Sequence, residues 1–230
     1  VLRRAVAEFL GSALLAAVVI GSGIAASTLS PGDAGLQLLE SSLATALGLF
    51  AIILIFAPVS GSHFNPIVTL VDAALGHRDW RDAAAYIPAQ VVGCVVGAGL
   101  SNAMFGRALV SVATTERLSG PHFLAEVVAT AGLVLVIFSL ALSGRGGLAP
   151  AAVGAYIGAA YFFTSSSSFA NPAITIGRMF SDSFAGIAPG SVPGFLLAQA
   201  IGGGVGLLLV RYLYPSRVGS EPPAVSLAAR

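Results

Sequence analysis

The chain has 230 residues, 9% of them charged and 56% apolar, with a mean hydropathy of +0.91. A soluble domain carries about 25% charged residues, so a water-facing globular surface is excluded. Eleven arginines, no lysine, ten acids, three histidines and one cysteine give no basic stripe for nucleic acid and no disulfide pair. They also give no material for a metal site or a Cys/His catalytic cluster. The composition is that of an integral membrane protein with no cofactor, and an enzyme reading lacks a nucleophile–base pair.

In chain order, six apolar runs are each long enough to cross a bilayer at about 20 residues per helix: near 5–29, 38–59, 83–105, 123–143, 147–164 and 192–213. The first, with Arg3 and Arg4 before it, has the flanks of a signal peptide, but its apolar core is too long and holds Glu8. Two further stretches, 65–76 and 171–180, are too short to cross, and each opens with Asn-Pro. Proline at a first helical position costs nothing, since its missing N–H would be unpaired there. Both therefore read as half-helices that start abruptly.

With the amino terminus inside, Arg3, Arg4, Arg78, Arg81, Arg145, Arg211, Arg217 and Arg230 fall on the cytoplasmic side, and Arg107, Arg117 and Arg178 outside. That bias places both termini in the cytoplasm. Trp80 and Tyr212 stand at segment ends as interface anchors. Residues 215–230, with Pro222-Pro223, read as a disordered cytoplasmic tail.

The two halves echo each other. Glu8 opens the first helix as Glu126 opens the fourth; Gln90 in the third is matched by Gln199 in the sixth; Asn65-Pro66 is matched by Asn171-Pro172. Three crossings per half invert the second repeat relative to the first, so repeats at about 5–105 and 123–213 form one transmembrane domain over 1–214. Half-helices entering from opposite faces can meet near the midplane, where irregular backbone survives only if protein buries it or water bathes it. Together they span roughly 33 Å, about one bilayer core.

At this point the sequence resembles the aquaporin (major intrinsic protein) family. The run Ser60-Gly61-Ser62-His63-Phe64-Asn65-Pro66-Ile67-Val68-Thr69 is similar to the family's first Asn-Pro-Ala loop, with Ile67 in place of Ala. Phe169-Ala170-Asn171-Pro172-Ala173 is similar to the second, with the triplet intact. Glu8, Glu126, Gln90 and Gln199 match polar positions on the family's membrane helices. The resemblance covers residues 5–213 and implies an all-α membrane fold: six transmembrane helices plus two re-entrant half-helices in an inverted repeat. It also implies a passive channel for water and small uncharged solutes, assembled as a homotetramer in a plasma membrane, here a bacterial inner membrane.

Each key residue admits a structural and a functional reading. Asn65 and Asn171 are good helix caps; at the positive end of a half-helix each amide can also donate to a passing oxygen. Glu8 and Glu126 would each cost about 2.5–3.5 kcal/mol in lipid and must face protein. The resemblance has them brace the re-entrant loops, with Gln90 and Gln199. A proton relay through them is the rival, which would make the chain an ion-coupled secondary transporter. A third class is a junction protein with a vestigial pore. His63 is expected to bond within its loop, His77 and His122 to be interface residues, and Cys94 and the Gly202–Gly204, Gly206 cluster to serve close packing.

The resemblance also locates a selectivity filter. Family spacing from the two Asn-Pro pairs points to Thr45, Ala159 and Ser168, and the position after the second triplet, usually Arg, is Ile174. Thr45 and Ala159 stand where relatives put aromatic or His side chains to narrow the gap. The set implies a wide opening with one apolar wall, suited to glycerol-like polyols, urea or metalloid hydroxides such as arsenous acid, with weaker cation rejection. Arg178 lies one helical turn beyond Ile174. It either reaches the outer vestibule as a displaced filter charge or faces headgroups, paired with Asp182. The Ser165–Ser168 run lines the outer mouth or is a flexible linker.

Overall fold

In a computed structural model of the chain, residues 1–215 are described; the rest of the expected tail, 216–230, lies outside them. Helix α1 spans Leu2–Leu29, α2 Ala34–Ser60, α3 Pro66–Ala74, α4 Trp80–Met104, α5 Gly120–Leu142, α6 Ala149–Phe163, α7 Pro172–Gly177 and α8 Val192–Leu213. Six of them, counting the 3-10 turns that lead into α6 and α8, are long and apolar enough to cross a membrane. The other two, α3 and α7, are the half-helices, and α7 continues into a 3-10 turn at Arg178–Phe180.

Local chemistry sets the helix starts. Asp33 and Ser119 accept the N–H groups of Leu36 and His122 at the heads of α2 and α5. Asn65 and Asn171 do the same for α3 and α7, each followed by proline. Such side chains satisfy donors that a helix start leaves orphaned. Helix α2 stops at Gly61, whose φ of 91° suits glycine.

The inverted repeat recurs in the packing. Helix α1 lies along α4 as α5 lies along α8, while α3 also packs on α8 and α7 on α4, so each half-helix touches the last helix of the other half. Glycines permit these approaches. A Cβ at Gly93 or Gly97 would overlap the carbonyls of Phe9 and Ala13 on α1; one at Gly202 or Gly206 would overlap α5 at Val127 and Val134. Gly93 and Gly202 each follow the helix glutamine by three residues, and Gly97 and Gly206 by seven. Gly203 faces Ile67, and Gly204 alone of that cluster meets nothing. Cys94 is fully buried where Gly177 crosses α4.

Candidate functional site

The loops before α3 and α7 are built alike. Glu8 accepts from Ser60 Oγ at 2.6 Å, the backbone N–H groups of His63 at 3.0 Å and Phe64 at 2.7 Å, and Gln90 Nε2 at 2.7 Å. Glu126 accepts from Ser166 Oγ at 2.6 Å, the N–H groups of Phe169 and Ala170 at 2.8 Å each, and Gln199 Nε2 at 2.7 Å. Both carboxylates are fully buried, and four donors apiece are what make a buried acid tolerable. Each glutamine also donates at 2.9 Å to a threonine, Thr69 or Thr175, on the adjoining half-helix.

Gathering two N–H groups onto one carboxylate forces unusual backbone. Ser62, Phe64, Ser168 and Ala170 have φ between 47° and 54°, the left-handed region that costs a non-glycine residue about 1–2 kcal/mol. The offsets from the asparagine are the same in both loops. The conformation turns the carbonyls of Phe64 and Ala170 toward the opposite loop. There Asn65 Nδ2 donates to Ala170 O at 2.7 Å and Asn171 Nδ2 to Phe64 O at 2.8 Å. Each asparagine thus caps its own helix through Oδ1, bolts the other loop through one N–H, and keeps a second N–H. Both line one cavity of about 780 Å³ that runs between the helices.

Toward the face carrying the amino terminus (the inner face), Asp72, His63 and Pro150 line this cavity; toward the outer face, Thr45, Tyr161, Ser168, Ile174 and Arg178 do so. A channel of mainly apolar wall, crossed at its middle by two amide donors, can strip a small neutral molecule of part of its water and replace those bonds in sequence. It offers ions no complete replacement for their hydration.

A model of the major intrinsic protein family matches residues 1–170. Over 211 residues the chain is 44% identical to aquaglyceroporin AqpS of Rhizobium meliloti (strain 1021), covering 92% of this chain and 90% of that protein. The chain belongs to the major intrinsic protein family. It is also 30% identical over 238 residues to a probable aquaporin TIP2-2 of Oryza sativa subsp. japonica, covering 98% and 92% of the two chains. Its fold matches the X-ray structure of the aquaglyceroporin from Plasmodium falciparum with a TM-score of 0.69 over 93% of this chain and 95% of that one, at 22% identity. As a major intrinsic protein it is a multi-pass membrane protein and a passive channel for water and small solutes, not an enzyme.

Within that family frame, several positions differ from the sequence reading. Ala159 does not line the cavity: it is exposed on the outward side of α6, while Ile157 and Tyr161 face inward. At about 100° per residue, positions 157 and 161 share a helix face and 159 stands opposite. An aromatic ring is therefore present in the outer pore after all, and Tyr161 Oη lies 3.1 Å from Thr45 Oγ1. Ile67 points away from the cavity into the space over Gly203, among Val71, Val134 and Val210. That space is where the side chain larger than alanine fits.

Arg178 is buried, lines the cavity, and makes no pair with Asp182, whose carboxylate instead accepts from Thr114. Its Nε donates to Ala185 O, and its guanidinium lies over the Phe169 ring, 3.4 Å from the centroid. The serine run is not a loose linker. Ser166 braces Glu126, Ser167 bonds Ser166 O, and Ser168 borders the cavity with its Oγ buried, while Ser165 is exposed.

Two clusters lie outside the sequence expectations. Asp72, seven residues after Asn65 as Arg178 is after Asn171, meets Arg78 at 3.1 Å, His63 at 3.2 Å and His77 at 3.5 Å. His63 is thus a cavity-lining residue as well as a loop brace, bonding Thr69 at 3.0 Å. On the outer side, Arg117 donates to Gly186 O at 2.6 Å and Phe184 O at 2.7 Å, tying the 105–119 connection to the loop after α7. The signal available was spacing: the half-helix repeat pairs position 72 with 178.

Proposed function

We propose that this channel is a facilitator for neutral solutes larger than water: polyols such as glycerol, urea, or metalloid hydroxides such as arsenous acid. The observation that carries the reading is Ile174. At the position after the second Asn-Pro-Ala it puts a buried apolar side chain against the cavity, leaving space and an oily wall where a guanidinium would otherwise project. Thr45 and Tyr161 supply hydroxyls on the remaining wall, which Ser168 borders. One apolar side and one hydroxylated side match a solute whose oxygens lie on one face. The printed name of the Rhizobium meliloti relative, an aquaglyceroporin, supports the same solute class. Asn65 and Asn171 act as midplane donors; Glu8, Glu126, Gln90, Gln199 and His63 hold the loops that present them. Saturated by four donors each, the glutamates serve as braces, and flux requires no coupled ion. The domain of residues 1–214 assembles as a homotetramer in a bacterial inner membrane, with both termini cytoplasmic.

Stopped-flow light scattering on proteoliposomes tests this. Vesicles re-swell quickly in glycerol, urea or arsenous acid, at rates proportional to the solute gradient and unchanged when proton and sodium gradients are collapsed. Saturating flux that needs either ion gradient would replace this reading with a coupled transporter.

A further inference from the structure

The loop between α3 and α4 closes on the inner pore through one carboxylate. Asp72 Oδ2 meets His63 Nε2 at 3.2 Å and Arg78 Nε at 3.1 Å, and its Oδ1 faces His77 Nδ1 at 3.5 Å. Asp72 and His63 line the cavity; His77 and Arg78 belong to the loop behind them. Arg78 is held further by Tyr86 Oη at 3.0 Å and by Asp82 at 3.8 Å, and Arg4 on α1 meets Asp82 at 2.9 Å. His77 is the odd member of this set. Its side chain is 9% exposed, and its Nε2 is buried with no partner. A neutral ring, with its proton on Nδ1 toward Asp72, leaves only a bare lone pair at that atom. A second proton would bury an N–H with no acceptor, which folded proteins seldom tolerate. Charge does not settle the matter. Asp79 and Asp82 share a polar pocket of about 260 Å³ with His77, Arg4 and Arg78, and Arg211 of α8 donates to Ala74 O at 2.9 Å where the loop begins. With Asp72, three acids face three arginines around His77, so the hydrogen bond decides.

We propose that the loop of residues 75–79 is a proton-sensitive latch on the inner mouth of the pore. Histidine is the side chain whose charge changes between about pH 5 and 8. While His77 is neutral the loop stays packed, and Asp72 keeps His63 against the pore wall. When His77 takes a second proton, its Nε2–H has to reach water, and the loop lifts. Gly76 is the hinge: its φ is 82°, and no atom lies within 4 Å of its Cβ position. Arg78 leaves with the loop, Asp72 and His63 lose their backing, and their side chains swing into the path. Flux therefore falls on acidification. The inference goes beyond the choice of solute and needs only a pore that conducts water.

The test is the water permeability of proteoliposomes in a sucrose gradient, with both sides buffered at about pH 8 or about pH 5.5, either side of the histidine range. The parent should lose permeability several-fold at the lower pH. His77→Asn sets an amide N–H where Nδ1–H was and cannot gain a proton, so it should keep the alkaline permeability at both pH values. Hydrogen exchange of the 75–79 amides, corrected for the intrinsic pH dependence of exchange, should speed up at the lower pH in the parent and not in His77→Asn. Equal parent permeability at the two pH values, a rise on acidification, or a folded His77→Asn protein that still loses permeability would overturn the proposal. If His77→Asn does not fold, exchange in the parent decides: protection of residues 75–79 that does not change with pH would overturn it. A parent that passes water but no glycerol, urea or arsenous acid would end the facilitator reading and leave this test intact.

Discussion

The side-chain amide of Asn65 donates to the carbonyl of Ala170 at 2.7 Å, across 105 residues of sequence. Asn171 returns the bond to Phe64 at 2.8 Å. The residue that starts each half-helix is therefore the fastener for the other, and the pore's middle is one joint rather than two caps.

Because both bonds close the same joint, Asn65→Ala and Asn171→Ala should each cost about 1–3 kcal/mol of stability from the lost cap and the orphaned carbonyl. The double variant should lose less than the sum, since either change already loosens both loops. Thermal unfolding in detergent of the two single variants and the double variant checks this; strict additivity would mean that the loops stand independently.

The Ile67–Gly203 contact explains how the first triplet tolerates its large third residue. A Cβ at Gly203 would overlap Ile67 Cγ2, and overpacking a filled core costs about 1–3 kcal/mol. Gly203→Ala should be destabilising in the parent and close to neutral on an Ile67→Ala background. An equal cost on both backgrounds would place the strain elsewhere.

Glu126 holds four donors, and truncating it leaves them all buried. At about 1–3 kcal/mol for each group left unsatisfied, Glu126→Ala should lose several kcal/mol and yield little folded protein, as should Glu8→Ala. Size-exclusion recovery in mild detergent measures this. Well-folded Glu126→Ala protein with its flux intact would mean that the loop holds its shape without the carboxylate.

Cys94 is fully buried and is not part of the cavity wall. Water and solute flux should be insensitive to maleimides and other thiol reagents, with labelling appearing only on denaturation. Rapid labelling of the native protein, or block of flux by it, would put the thiol in the pore.

The helices and the half-helix starts were readable because their signals are local: apolar runs of bilayer length, Asn-Pro at a cap, Glu and Gln repeated at matching places. The braces followed from the cost of a buried acid. Rotation about a helix axis was not readable. Family spacing from Asn171 points to Ala159, but that spacing runs through a loop with left-handed residues, and on α6 Tyr161 turns inward. The direction of Arg178 was open for a related reason. Its partners, Ala185 O and the Phe169 ring, lie on a loop and a cap that no periodicity describes. Asp72 went unread because its partners, His63, Arg78 and His77, come together only when α3 folds back between its flanking loops.

In the facilitator proposed above, Ile174 leaves the outer pore open to solutes larger than water. The most direct measurement is solute-driven re-swelling of proteoliposomes carrying the parent protein or Ile174→Arg, set beside their shrinkage in a sucrose gradient. Fast glycerol, urea and arsenous acid entry is expected in the parent, lost in Ile174→Arg while water flow persists. Equal solute entry in both proteins, or fast water flow with no solute entry in the parent, would contradict it.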